Sequence, residues 1–179
     1  MKKLRVGVVG VGHIGSNHAR LYGEIPSAEF TAVYDVEPFK SRTIASKFGA
    51  ACAKSLDEFI ATVDAASVAT PTNTHYDVAR ALLAKGKHVL VEKPITDNTA
   101  HATELAEMAA ANGLILQVGH VERFNPVLAA LERHFKLMKE VEELTDGWFR
   151  AGRILLQDRR QSEYFRLDAE IQLERAKAK

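Results

Sequence analysis

The segment Gly10-Val11-Gly12-His13-Ile14-Gly15 constrains the fold more than any other stretch of the chain. It follows a short apolar, β-branched run at 4–9, which reads as a buried parallel strand. It opens a helical pattern over 14–22 that carries Ile14, Ala19, Leu21 and Tyr22, with Gly23 as its stop. A G-x-G-x-x-G pattern alone is a weak signal, but between a strand and a helix it has a mechanical meaning. Gly10 permits a tight turn, Gly12 lets the backbone approach a pyrophosphate, and Gly15 lets the helix pack closely on the strand. The helix N-terminus then offers unpaired N–H groups and a positive dipole end to phosphate, with His13 contributing backbone more than imidazole.

A second residue completes the pattern. Asp35 ends the next strand, at 30–34, about 20 residues past the last glycine, where a carboxylate can accept from both ribose hydroxyls of NAD. The same charge repels the 2′-phosphate of NADP, although Lys40 and Arg42 lie close in sequence, so NADP is disfavoured rather than excluded.

Beyond this unit, strand and helix patterns keep alternating. Helices are expected at 39–48, ended by Gly49, and at 56–61. A third helix, at 74–85, has Asn73 as its N-cap, and a fourth is capped by Thr96 or Asp97 and runs to Ala111. Strands are expected at 50–53, 65–69, 88–91 and 114–118, and another helix begins near Pro126. Such alternation means an α/β fold, a Rossmann-type doubly wound parallel sheet with helices on both faces. The predicted organisation is a dinucleotide-binding domain over 1–140 and an unrecognised, charged tail over 141–179.

Composition narrows the rest. A formal charge of +1 over 179 residues gives no electrostatic case for nucleic acid or a membrane surface. No apolar run approaches the roughly 20 residues that cross a bilayer. The single cysteine, Cys52, cannot form an intrachain disulfide and reads as a small buried residue. The glycine-broken N-terminus does not read as a signal-peptide core, so a cytoplasmic location is expected. Histidines and carboxylates show no metal-ligand spacing, so no metal is expected.

Four stretches carry a family resemblance. They are 6–19 around the glycine loop, Ala69-Thr70-Pro71-Thr72-Asn73-Thr74-His75, the 86–94 segment ending in Glu92-Lys93-Pro94, and Gly119-His120-Val121-Glu122-Arg123-Phe124-Asn125-Pro126. Over residues 2 to about 140 the chain resembles the N-terminal domain of the Gfo/Idh/MocA oxidoreductases, which include glucose–fructose oxidoreductase and inositol dehydrogenase. The last stretch is most similar to the UDP-N-acetylglucosamine 3-dehydrogenase branch.

The resemblance implies hydride transfer between a sugar carbinol and nicotinamide, with a sugar or nucleotide sugar as substrate and a homo-oligomer as one possible state. It places Ala69, Thr70, Pro71, Asn73 and His75 along the nicotinamide half of the cofactor, at the carboxyl end of a central strand, where open α/β sheets form their ligand crevice. Glu92, Lys93 and Pro94 end the neighbouring strand and face the same crevice, Pro94 through a cis peptide. Lys93 is the implied catalytic residue: its ammonium can polarise a hydroxyl, hold a developing alkoxide and relay a proton. His120 and Arg123 are implied to approach cofactor and substrate, Arg123 as a partner for phosphate or carboxylate. His18 is expected to pack the helix, and His88, His101 and His134 to be structural.

From about Glu143 the resemblance ends. The family's second α/β domain supplies the substrate pocket, much of the oligomer interface and an Asp/His pair that accepts the substrate proton. None of it is recognised here, and no histidine follows His134. An excised cofactor domain, a truncated or frame-shifted gene and a natural short protein all fit, and the abrupt loss of resemblance favours the second. All three predict cofactor binding more strongly than turnover, so a non-catalytic dinucleotide-binding module or an inactive gene product stands as the alternative. The segment 158–179 is charge-dense, with Tyr164, Phe165, Leu167, Ile171 and Leu173, and reads as an exposed helix, a partner-binding helix or disorder.

Overall fold

The computed structural model describes residues 3–177. It divides into two compact units, Met1–Gly119 and His120–Lys179. In the first, six strands form one sheet: β1 (Leu4–Val9), β2 (Ala28–Tyr34), β3 (Ala51–Cys52), β4 (Ala65–Val68), β5 (His88–Val91) and β6 (Leu116–Val118). Their order is β3-β2-β1-β4-β5-β6, and every pairing is parallel. The chain winds outward in one direction from β1 and in the other from β4, so the topological switch point lies between these two strands.

Adjacent residues of β1 explain why helices cover both faces. Val8 and Val9 point to opposite sides of the sheet, as strand geometry requires. Val8 packs with Val11, Ala19, Val33 and Ala45, beneath α1 (His13–Glu24) and α2 (Pro38–Phe48). Val9 joins a larger cluster with Phe59, Val68, Leu82, Leu83, Val91 and Leu105, beneath α3 (Leu56–Thr62), α4 (His75–Ala84) and α5 (Thr99–Ala111). With both faces covered, the central strands read as continuous apolar runs rather than alternating ones.

Several element ends differ from the sequence expectation. Gly23 does not stop α1, which closes two residues later with Ile25 donating to the Leu21 carbonyl. Asn73 does not cap α4: residues Thr72–Thr74 form a 3₁₀ turn, and Thr74 hydrogen-bonds the Pro71 carbonyl and the Thr70 hydroxyl, each at 2.8 Å. The cap of α5 is Asn98, whose side chain accepts from the His101 N–H at 2.9 Å, and not Thr96 or Asp97. Local cap patterns offered competing oxygens at both places, and the turn geometry chose between them.

The second unit begins with a 3₁₀ turn at Val121–Phe124 and continues as two long helices, α6 (Pro126–Arg150) and α7 (Leu156–Lys177). The expected boundary at residue 140 falls inside α6, so the division lies at Gly119/His120 instead. Asn125 caps α6 by accepting from the Val127 N–H at 3.0 Å, and Pro126 occupies its first turn. Gly152, at φ +68°, reverses the chain after α6. Asp146 pairs with Arg159 near the turn, Glu142 with Arg166 further along, and Glu132 with Lys177 at the far end, which defines an antiparallel hairpin. Of the three readings of the tail, a helix is what forms. Among the described residues no helix is long and apolar enough to cross a membrane.

Candidate functional site

The glycine loop sits at the carboxyl end of β1, beside the end of β4. Gly10 adopts φ +81°, and its N–H donates to the Tyr34 carbonyl at 2.8 Å. A Cβ on Gly10 would stand 2.8 Å from the Ala69 carbonyl and from the Thr70 methyl, so the β1 and β4 loops are packed backbone to backbone. A Cβ on Gly15 would stand 1.8 Å from the Gly10 carbonyl oxygen, which is why the helix can begin so close to the strand. Gly12 is different, because a Cβ there meets nothing within 4 Å. It is exposed, at the N-cap of α1, and no side chain caps that helix. α3, α5 and α6 take side-chain caps from Ser55, Asn98 and Asn125, whereas α1, like α2 and α4, takes none. The first-turn amides of α1, at His13 and Ile14, are therefore left for an external acceptor.

Asp35 bridges the loops after β1 and β2. Its Oδ2 accepts from the Val11 N–H and its Oδ1 from the Glu37 N–H, each at 2.8 Å. Each oxygen retains a lone pair for a further donor. Lys40 donates to Glu37 at 2.5 Å, and that contact, with a smaller attraction to the Asp35 carboxylate, holds its ammonium above the ordinary lysine range. Arg42 donates to the Pro38 carbonyl at 3.2 Å. The vacant space over Gly12, the uncapped helix and the half-used carboxylate together fit a dinucleotide.

The loops after β4 and β5 are joined by one side chain. His75 is 1% exposed, with Nδ1 2.9 Å from the Pro94 carbonyl and Nε2 2.8 Å from the Thr70 carbonyl. Its ring lies between the two carbonyls and, with a single N–H, donates to one of them while packing against the other, so it fills the space between the Thr70 and Pro94 segments. Pro71 and Asn73 are exposed in the same loop. The Lys93–Pro94 peptide is cis, and Lys93 itself is exposed at the strand end. Glu92 turns inward, with Oε1 3.0 Å from His18 Nε2. His120 and Arg123 are exposed in the second unit, where the Arg123 N–H donates to the His120 carbonyl at 3.1 Å.

Residues 4–120 match the family model for the Gfo/Idh/MocA oxidoreductases, described as an oxidoreductase family with an NAD-binding Rossmann fold. The chain belongs to that family. Its first unit is the family's NAD-binding domain, with the glycine loop at the switch point of the sheet and Asp35 at the end of the adjacent strand β2. Among similar proteins, the UDP-N-acetylglucosamine 3-dehydrogenase of Acidithiobacillus ferrooxidans is 37% identical over 133 residues, which is 74% of this chain and 42% of that protein. Its crystal structure superposes with a TM-score of 0.70. The gentamicin A biosynthesis protein GenD2, solved in complex with NAD, superposes with a TM-score of 0.72 at 35% identity, over 77% of this chain and 39% of that one. The myo-inositol 2-dehydrogenase of Thermotoga maritima is 35% identical over 143 residues, 78% of this chain and 41% of that protein. The chain spans less than half the length of each of these relatives.

His18, expected to pack the helix, also bonds two side chains far away in the chain. It lies beside the buried Gly15 and Ala19 on the face of α1 that meets the sheet. The usable signal was Ser67, a polar residue in the apolar strand β4: buried polar groups need partners, and His18 and Tyr22 are its partners.

Proposed function

We propose that the chain is the cofactor-binding part of an NAD-dependent oxidoreductase acting on a sugar or nucleotide sugar, with Lys93 at the reacting centre. The observation that supports this most is the convergence of three loops, at Gly10, Thr70 and Lys93, on the carboxyl edge of the parallel strands β1, β4 and β5. Bound NAD would supply a hydride acceptor at nicotinamide C4. The chain's own residues do the rest. The α1 amides and the bare Gly12 backbone hold the pyrophosphate, and Asp35 accepts from the adenosine ribose hydroxyls. The Ala69–Pro71 backbone, with Asn73, lies along the nicotinamide side. The Lys93 ammonium would orient the substrate hydroxyl and offset negative charge building on its oxygen. The named relatives, dehydrogenases of a nucleotide sugar and of an inositol, favour a polyol ring as the substrate class.

Asp35→Ala tests the ribose assignment. NAD affinity is expected to fall about tenfold, one to two hydrogen bonds to a charged acceptor, with a smaller loss or a gain for NADP. An equal loss for both nucleotides would remove Asp35 from the ribose. Lys93 is tested with a panel of UDP-sugars and inositols, followed at the NADH absorbance. Sugar-dependent reduction that disappears in Lys93→Ala supports the enzyme reading. Reduction that persists removes Lys93 from the chemistry, and NAD binding without reduction of any sugar favours the non-catalytic module.

A further inference from the structure

Four side chains beneath the Glu92–Pro94 segment form one continuous hydrogen-bonded row. Tyr22 Oη lies 2.6 Å from Ser67 Oγ, Ser67 Oγ lies 2.9 Å from His18 Nδ1, and His18 Nε2 lies 3.0 Å from Glu92 Oε1. The other carboxylate oxygen, Oε2, accepts from the Lys93 N–H at 3.3 Å. Ser67 is fully buried, and the side chains of His18 and Glu92 are only 16% and 17% exposed. The glycine just after β6 leaves room for the carboxylate: a Cβ on Gly119 would stand 2.8 Å from Glu92 Oε1.

The row has a direction. A carboxylate only accepts, so His18 Nε2 carries the proton. A neutral imidazole then presents Nδ1 as an acceptor to the Ser67 hydroxyl, and Ser67 accepts in turn from Tyr22. Burial holds the Tyr22 phenol above its ordinary range, which keeps it a donor. Every donor points toward Glu92, and no member is left unsatisfied. Such a row is rigid, because removing one member orphans its neighbours.

We propose that His18 is a positioning residue for Lys93: as the Nε2–H tautomer it fixes the Glu92 carboxylate, and through it the Lys93 backbone, tying the pyrophosphate helix α1 to the strand end that carries the ammonium. This rests on the reading of the Lys93 crevice as the nicotinamide side. Helix packing alone would give His18 no preferred tautomer and no influence on one half of the dinucleotide.

The test uses the whole chain in two steps. In the ligand-free protein, ¹⁵N spectra are expected to show the Nε2–H tautomer at His18, and His18→Ala to shift the Lys93 amide resonance. An Nδ1–H tautomer, or an unmoved Lys93 amide, would overturn the proposal. Titrations then compare NADH with ADP-ribose, which lacks nicotinamide. His18→Ala is expected to weaken NADH about tenfold and ADP-ribose less than about twofold. His18→Gln, whose amide keeps a donor toward Glu92, is expected to restore NADH to within about threefold of the parent. Equal losses for both ligands, with no rescue by His18→Gln, also contradict it. A parent chain that binds NADH no more tightly than ADP-ribose would instead count against the reading of the crevice, and the ligand-free spectra would still decide the His18–Glu92–Lys93 link.

Discussion

Gly12→Val is expected to lower NAD affinity on the order of a hundredfold while leaving the melting temperature within about 2 °C of the parent. The two halves of that result have separate causes. Nothing lies within 4 Å of a Cβ at Gly12, and the backbone there sits at φ −65°, which any residue adopts, so the folded chain accepts the side chain. The space it fills is the approach to the uncapped α1 amides, where the pyrophosphate must come against bare backbone. Gly15→Ala is the contrasting control. Its Cβ would stand 1.8 Å from the Gly10 carbonyl oxygen, a backbone atom that cannot swing aside. The loop or the helix must move, at a cost of about 3 kcal/mol or more, and both stability and binding fall together. Calorimetric titration and thermal unfolding of the two variants check this. Unchanged NAD binding in Gly12→Val would remove the loop from the phosphate site, and an equal loss of stability in both variants would make Gly12 a structural glycine.

His75→Ala is the second large effect. It removes a side chain that is 1% exposed and that fills the space between the Thr70 and Pro94 carbonyls, donating to one of them. Lost packing and a buried carbonyl deprived of its donor together cost about 2–4 kcal/mol. For a chain of this size that lowers the melting temperature by roughly 5–15 °C. NAD affinity should fall as well, because the two loops are no longer tied to one another. A melting temperature unchanged by the substitution would show that His75 does not join the loops. Retained stability with lost NAD affinity would return His75 to direct ligand contact.

These two residues mark what could and could not be read in the chain beforehand. The glycine loop was legible because local chemistry dictates it: a tight turn, a close backbone approach and an uncapped helix each demand glycine at a fixed offset. The strands of the sheet were legible because burial on both faces makes them uniformly apolar, and β1 and β5 fall where the pattern places them. The motif places His75 beside the cofactor, yet its ring lies between carbonyls 5 and 19 residues away, a tertiary fact with no local signature. His18 depended likewise on Ser67 and Glu92, 49 and 74 residues distant. Helix caps failed where several oxygens compete within three positions, as at Thr96, Asp97 and Asn98. Family resemblance fades near residue 140, but the half-buried spacing of Leu128, Leu131, Phe135 and Met138 runs on through Val141, Thr145 and Phe149, and one helix carries it all.

The most direct test of the first unit as an NAD-binding domain is a calorimetric titration of the purified chain with NAD and with NADP. Saturable binding at a single site, tighter for NAD than for NADP, is the predicted result. The absence of binding by either nucleotide would contradict it.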